Sequence, residues 1–311
     1  MTNMTDFTFL SSDGKTALHG ISWLPEGKPL AVLQVAHGVA EYIGRYDAFA
    51  RYLNQQGIAV VGHDHLGHGL SLGTGDTPVY FGKGNTWQTV VDDMYVLHNR
   101  LKQQFPDVPM VLMGHSMGSF LARTYLIRYP GTVKAAVIMG TGWQNNLTVS
   151  AGLLIAKAVA ASRGDNGTSR FVTNLAFGSY NKPFKPVRSE FDWLSADTDN
   201  VDAYIADPLC GQPTSVGLFR EMLKGIRFNQ KSDNLAKMDL NTPILLISGE
   251  MDPVGALSVG VQKTCEAFGS SGVRDCTVKL YPGLRHEILN EKAQRETVFA
   301  DIGGWIREKI V

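Results

Sequence analysis

The stretch "PMVLMGHSMGSFLARTYLIRYP", residues 109–130, decides how the chain is read. An apolar run from Pro109 ends at His115, and apolar residues at helical spacing follow from Met117 to Tyr129, closed by Pro130-Gly131. A buried strand therefore turns straight into a helix through Gly114-His115-Ser116-Met117-Gly118. That is the context in which a G-x-S-x-G pattern works. The turn is sharp and strained, it stands a serine Oγ clear of the backbone, and glycines two before and two after keep neighbouring chain away. A second match, Gly69–Gly73, lacks this context. The strand before it has ended by Asp64, and Gly73-Thr74-Gly75-Asp76-Thr77-Pro78 continues as loop. Ser116, not Ser71, reads as the nucleophile.

The same alternation extends outward. FTFLSSDG (7–14) and ALHGISWLP (17–25) read as strands around a turn at Asp13-Gly14. AVLQVAH (31–37), IAVVGHD (58–64), PMVLMGH (109–115), VKAAVIMG (133–140), PILLISG (243–249) and TVKLYPG (277–283) read as further strands. Helical patterns occupy Tyr46–Gln56, Trp87–Phe105, Met117–Tyr129 and Glu296–Ile310. Strands that are apolar on both faces and alternate with helices predict an α/β fold, a mostly parallel eight-stranded sheet flanked by helices. The rhythm breaks between about Trp143 and Lys237. We read 1–142 and 238–311 as the core and 143–237 as a helical cap (lid) inserted over the C-terminal edge of the sheet. The apolar helix TVSAGLLIAKAVAAS (148–162) reads three ways: lining a ligand tunnel, touching a bilayer, or packing on the sheet edge.

Composition removes several classes of function. Lys+Arg and Asp+Glu both total 29 in 311 residues, so no basic field points to nucleic acid. The three cysteines have no CxxC spacing, and read as small buried hydrophobes rather than a disulfide framework. Without a secretory pattern or an apolar run of about 18 residues, a cytoplasmic protein with no spanning helix is expected. Oligomeric state is not legible.

A serine nucleophile needs a base, and the base needs an orienting acid. In this architecture the chain order is serine, acid, histidine. His286 is the only histidine after Ser116. The strand PILLISG leads into Glu250-Met251-Asp252-Pro253. Asp252 fits better as the acid, because the first residue past a strand-ending glycine usually still turns the chain; Glu250 remains the alternative. The oxyanion hole needs two amide donors. Met117 supplies one, and Val39, in the loop VAHGVAE (35–41), supplies the other. His37 reads as a loop-shaping residue, and the His115 side chain should diverge from Ser116 Oγ.

His63, His65 and His68 have His-x-His-x-x-His spacing, but Gly67 stands where a two-metal site would carry Asp. We expect no metal and no cofactor, and a loop in which Asp64 and His68 bond to backbone.

Four stretches together resemble the monoacylglycerol lipase and lysophospholipase-like branch of the α/β-hydrolases, also called serine aminopeptidase S33-like. They are HGVAEYIGRYDAFARYLNQQGIAVVGHDHLGHGLS (37–71), GHSMGSFLARTYL (114–126), ISGEMDPVG (247–255) and YPGLRHEILNE (281–291). The resemblance implies a cofactor-free serine ester hydrolase for single-chain lipids, with Ser116, Asp252 and His286 as triad and Val39 and Met117 as oxyanion hole. It also implies a small-molecule acyl ester or lipid partner, and the apolar helix at 148–162 adds transient membrane-surface contact through the cap as an expectation. One departure is HGVAEY where the family is closer to His-Gly-Ala-Gly-Glu-His; the bulkier Val39 narrows the acyl path but keeps its amide. Met117 replaces the tryptophan that usually follows the serine in proline-iminopeptidase relatives.

Overall fold

A computed structural model describes residues 3–311. In chain order the main elements are β1 (Asn3–Leu10), β2 (Ala17–Leu24), β3 (Ala31–Ala36), α1 (Asp47–Asn54), β4 (Ile58–His63) and α2 (Thr86–Gln104). Then come β5 (Met110–His115), α3 (Met117–Arg128), β6 (Ala135–Met139), α4 (Asn146–Arg163), α5 (Arg170–Phe177) and α6 (Thr198–Ala206). The chain finishes with α7 (Val216–Asn229), α8 (Ser232–Leu235), β7 (Ile244–Gly249), α9 (Val259–Ser270), β8 (Cys276–Tyr281) and α10 (Arg295–Lys309).

The strands form one sheet of eight in the order β1-β2-β4-β3-β5-β6-β7-β8. Pairing is antiparallel at β1–β2 and β2–β4 and parallel from β4 to β8. Every residue of β3 to β7 is buried. Alternate side chains feed two cores, as the pleat requires. Val32, Leu112 and Ile138 meet α2, α3 and α7 on one face; Leu33, Val111 and Val137 meet α1 and α10 on the other.

The first strand corrects the sequence reading. It begins at Asn3, and Ser11–Gly14 belong to the turn. Polar Asn3–Asp6 extend because β2 pairs with them, Asn3 opposite Leu24 and Leu10 opposite Ala17. The turn is closed by the Asp13 carboxylate, which accepts from Lys15 and Thr16 amides at 2.8 Å each.

Helices α4 to α8 fill the gap between β6 and β7, with one isolated bridge, Thr168 to Ser215. Short polar residues start them. Asn145, Ser169, Asp197 and Ser215 each accept a backbone N–H of the helix that follows. Among the described residues, no helix is long and apolar enough to cross a membrane.

Candidate active site

Ser116 sits between β5 and α3 with φ 55° and ψ −121°. A positive φ on a residue with a side chain costs of order 1–3 kcal/mol, so surrounding structure must hold it. The Ser116 amide donates to Met139 O on β6 at 3.0 Å. Both motif glycines are required by close backbone contact. A Cβ on Gly118 would lie 2.0 Å from Ala36 O, and one on Gly114 would lie 2.2 Å from Gly118 O. The same crowding brings the next loop in, because a Cβ on Gly38 would lie 3.1 Å from Ser116 Cβ. Val39, Ser116 and Met117 line one cavity.

His286 Nδ1 lies 2.9 Å from Asp252 Oδ2. Asp252 is fully buried and also accepts from Ser248 Oγ at 3.1 Å and from the Val254 amide at 2.9 Å. A carboxylate partner makes Nδ1 the protonated nitrogen, which leaves the Nε2 lone pair free. Nε2 is buried and has no hydrogen-bond partner among the described residues, so the Ser116–His286 hydrogen bond is not formed in this state. Such bonds often tighten only with substrate in place. Glu250 is exposed and does not bond to the histidine. The imidazole is held between the tilted rings of Trp193 (centroids 5.0 Å) and His115 (4.7 Å), and the His286 amide donates to Leu194 O at 3.1 Å. The ring also rests on the turn after β6, where a Cβ on Gly140 would lie 2.9 Å from its Cε1. That turn is fastened from behind by buried Arg123, whose Nη1 donates to Gly142 O at 2.9 Å.

A second buried charge network borders the histidine. Arg45 donates to both Glu287 oxygens (2.6 and 2.8 Å) and to Glu41 Oε2 (2.9 Å). Glu41 Oε1 accepts from Tyr46 OH at 3.0 Å and lies 3.1 Å from His115 Nδ1. Burial pushes the Glu41 carboxyl up, but the His115 hydrogen bond and the Arg45 charge outweigh it and hold it well below the usual range. Burial likewise lowers His115, and the Glu41 carboxylate more than restores it, so the His115 pKa is raised. His115 thus pairs with Glu41 through Nδ1, and its Nε2 lies 3.3 Å from His286 O. Asn200 on α6 donates to Glu287 Oε2 at 2.8 Å, which ties the 143–237 segment to the residue beside His286.

The histidine-rich loop behaves as backbone scaffolding. Asp64 accepts from the Ile43 amide (2.8 Å) and the Leu70 amide (2.9 Å) and lies 2.8 Å from His19 Nδ1. His68 Nδ1 donates to Leu66 O at 2.9 Å, and His37 Nε2 accepts from the His65 amide at 2.9 Å. Burial pushes His63 and His68 down to about 3, so both are neutral. Among the described residues, no group of three or more His, Cys, Asp or Glu side chains is placed to hold a metal ion.

Two cavities meet at Ser116. One of about 710 Å³ carries His286, Glu41 and Glu287 with Thr168, Arg170 and Glu190. The other, about 530 Å³, is walled by residues such as Phe120, Val149, Ile155, Phe219 and Leu223 and by no charged side chain.

A family model described as serine aminopeptidase, S33 matches residues 27–293. The chain belongs to that family. This S33-family hydrolase is 31% identical to a monoacylglycerol lipase of Mycolicibacterium smegmatis, over 91% of this chain and 90% of that one. It is 27% identical to a monoglyceride lipase of Rattus norvegicus, over 93% of this chain and 86% of that one. A crystal structure of a thermostable carboxyl esterase from Bacillus coagulans in complex with glycerol superposes with TM-score 0.92 at 26% identity, covering 100% of both chains. The S33 chain therefore has the α/β-hydrolase fold.

Sequence reasoning missed the Glu41–Arg45–Glu287 network in this hydrolase. Glu41 and Arg45 are four residues apart, which hints at a pair, but nothing local points to Glu287. Trp193 against His286 carried no signal either.

Proposed function

We propose that the chain is a serine carboxylester hydrolase acting on single-chain acyl esters through an acyl-enzyme. In this reading His286 Nε2 takes the Ser116 proton and Ser116 Oγ attacks the ester carbonyl. The oxyanion rests on the Val39 and Met117 amides, and Asp252 holds the imidazole tautomer. The alcohol leaves with the proton from His286; water activated by the same histidine then releases the acid. No cofactor enters. The observation that carries the reading is the positive-φ Ser116 at the meeting of the two cavities, one of which also exposes the Asp252-held His286.

The uncharged cavity suits an acyl chain. Its walls support treating 143–237 as a cap, since Thr148, Gly152 and Ile155 of α4 line it. Leu147 (81% exposed) and Leu154 (71%) on α4, with Phe171 (63%) on α5, favour transient contact of that cap with a lipid surface at a cytoplasmic membrane face. The monoacylglycerol lipase and carboxyl esterase relatives support an ester rather than a peptide substrate.

Ser116→Ala tests the reading. It should lower kcat on p-nitrophenyl esters by on the order of 10⁶ and abolish fluorophosphonate labelling, and activity retained above about 1% refutes it. The family description keeps an aminopeptidase in the comparison. Faster cleavage of aminoacyl arylamides than of p-nitrophenyl esters selects that alternative.

A further inference from the structure

Arg123 is a buried charge that the acyl-transfer steps do not use. It lies in α3, about two turns after Ser116, and residues 117–127 of that helix are all buried. Its side chain is fully buried among the rings of Phe120 (5.6 Å to the centroid), Trp143 (5.7 Å) and Phe268 (5.7 Å). Burial lowers its pKa to about 9, so the guanidinium is charged at neutral pH. No carboxylate among the described residues pairs with it, and neither Nε nor Nη2 has a hydrogen-bond partner among them. A buried cation without a counter-charge is costly, and an apolar side chain of similar volume often serves a fold as well or better. Packing alone therefore does not call for arginine here.

The engaged nitrogen shows what the side chain holds. Nη1 donates to Gly142 O at 2.9 Å and to Thr141 Oγ1 at 3.3 Å. Both acceptors belong to the turn after β6, and that turn touches the base and the acid loop. At one end, a Cβ on Gly140 would lie 2.9 Å from His286 Cε1 and 3.1 Å from its Nδ1. At the other, a Cβ on Gly142 would lie 2.3 Å from Val254 O, and one on Gly255 would lie 3.1 Å from Thr141 O. The Val254 amide in turn donates to Asp252 Oδ1 at 2.9 Å. Arg123 thus bridges the helix that starts at Ser116 and the turn on which the histidine and the acid loop both rest.

Building on the ester-hydrolase reading above, we propose that Arg123 is a positioning residue, which holds the 140–142 turn so that His286 and Asp252 stay aligned with Ser116. A charged donor suits the task because it grips a carbonyl more strongly than a neutral one.

The test compares wild type with Arg123→Met, which is long, apolar and adaptable, and Arg123→Lys, which keeps the charge and one donor. Kinetics on p-nitrophenyl butyrate are expressed per serine counted by fluorophosphonate titration. Folded Arg123→Met should lose about 100-fold in kcat with KM within about twofold, since a displacement of about 1 Å at reacting groups costs on that order. Arg123→Lys should recover about tenfold of that loss. In proton NMR without substrate, the downfield Nδ1–H resonance of His286 should move upfield or broaden in Arg123→Met. Wild-type kcat in folded Arg123→Met overturns the proposal, as does a raised KM with kcat unchanged or an unshifted resonance. Should Arg123→Met fail to fold, Arg123→Lys decides: about tenfold lower kcat at unchanged KM supports the proposal, and wild-type kcat overturns it. If wild type neither hydrolyses the ester nor reacts with the fluorophosphonate, the ester-hydrolase reading fails, and the substrate-free resonance still decides the role of Arg123.

Discussion

Glu291 makes a prediction that separates electrostatics from packing. Its side chain is buried, 2% exposed, and clasps two backbone amides: Arg285 N at 2.7 Å and Ala196 N at 3.1 Å. One amide adjoins His286 and the other belongs to the 143–237 segment, so the carboxylate joins both. Burial pushes its pKa up to about 7, with the Asp197 charge adding to that, while the two amides and Arg285 only partly oppose it. The sign follows from proton binding. Between the ordinary carboxyl value near 4.5 and about 7, the folded state holds a proton that the unfolded state has lost. Stability contributed by this group is thus fully present below pH 4.5 and is lost as pH rises through 7. At 1.36 kcal/mol for each tenfold in affinity, the loss is about 3 kcal/mol. Glu291→Gln removes the titration but leaves one amide facing the new NH₂, a constant penalty of about 1–3 kcal/mol. That penalty is independent of pH. The stability of Glu291→Gln relative to wild type should therefore improve by about 3 kcal/mol between pH 5 and pH 8, roughly 6 °C in the difference of thermal midpoints. Paired melting scans at the two values read this directly. Equal differences at pH 5 and pH 8 would refute the reasoning, because they would mean Glu291 is charged in both.

Other expectations concern the serine, its acid and the supporting loop. Asp252→Asn should cost on the order of 10⁴ in kcat by favouring the wrong imidazole tautomer, whereas Glu250→Gln should stay within about twofold; a reversed order in steady-state kinetics would move the acid. Gly118→Ala pushes a methyl to 2.0 Å from Ala36 O, so α3 must move off β3. A loss of about 1–3 kcal/mol in urea unfolding is expected, together with lower kcat as the Ser116 turn shifts. His68→Ala should cost about 2 kcal/mol of stability and leave activity per folded molecule within about tenfold. A folded His68→Ala protein as inactive as Ser116→Ala would contradict a scaffolding role.

What the sequence alone determined was whatever depends on local pattern. Apolar runs on both faces marked β3 to β7, because a strand covered on both sides has no polar face to show. The strand-to-helix junction at Ser116 distinguished it from Ser71, since only a strand end followed at once by a helix makes that turn. Chain order singled out His286. Tertiary structure decided what depends on contacts between distant residues. Asp252 and Glu250 stand two residues apart on one loop, and only the packed turn buries the first beside His286 and leaves the second in solvent. Asn3–Asp6 became strand because β2 offered partners, not because their own propensity demanded it. Arg45 met Glu287 across 242 positions of chain, and the charged and uncharged cavities at Ser116 exist only because residues of α4, α5, α7 and the His286 loop come together around it. Periodicity gives the face a residue occupies on its own element, but which other element arrives at that face is settled by the packing of the whole chain.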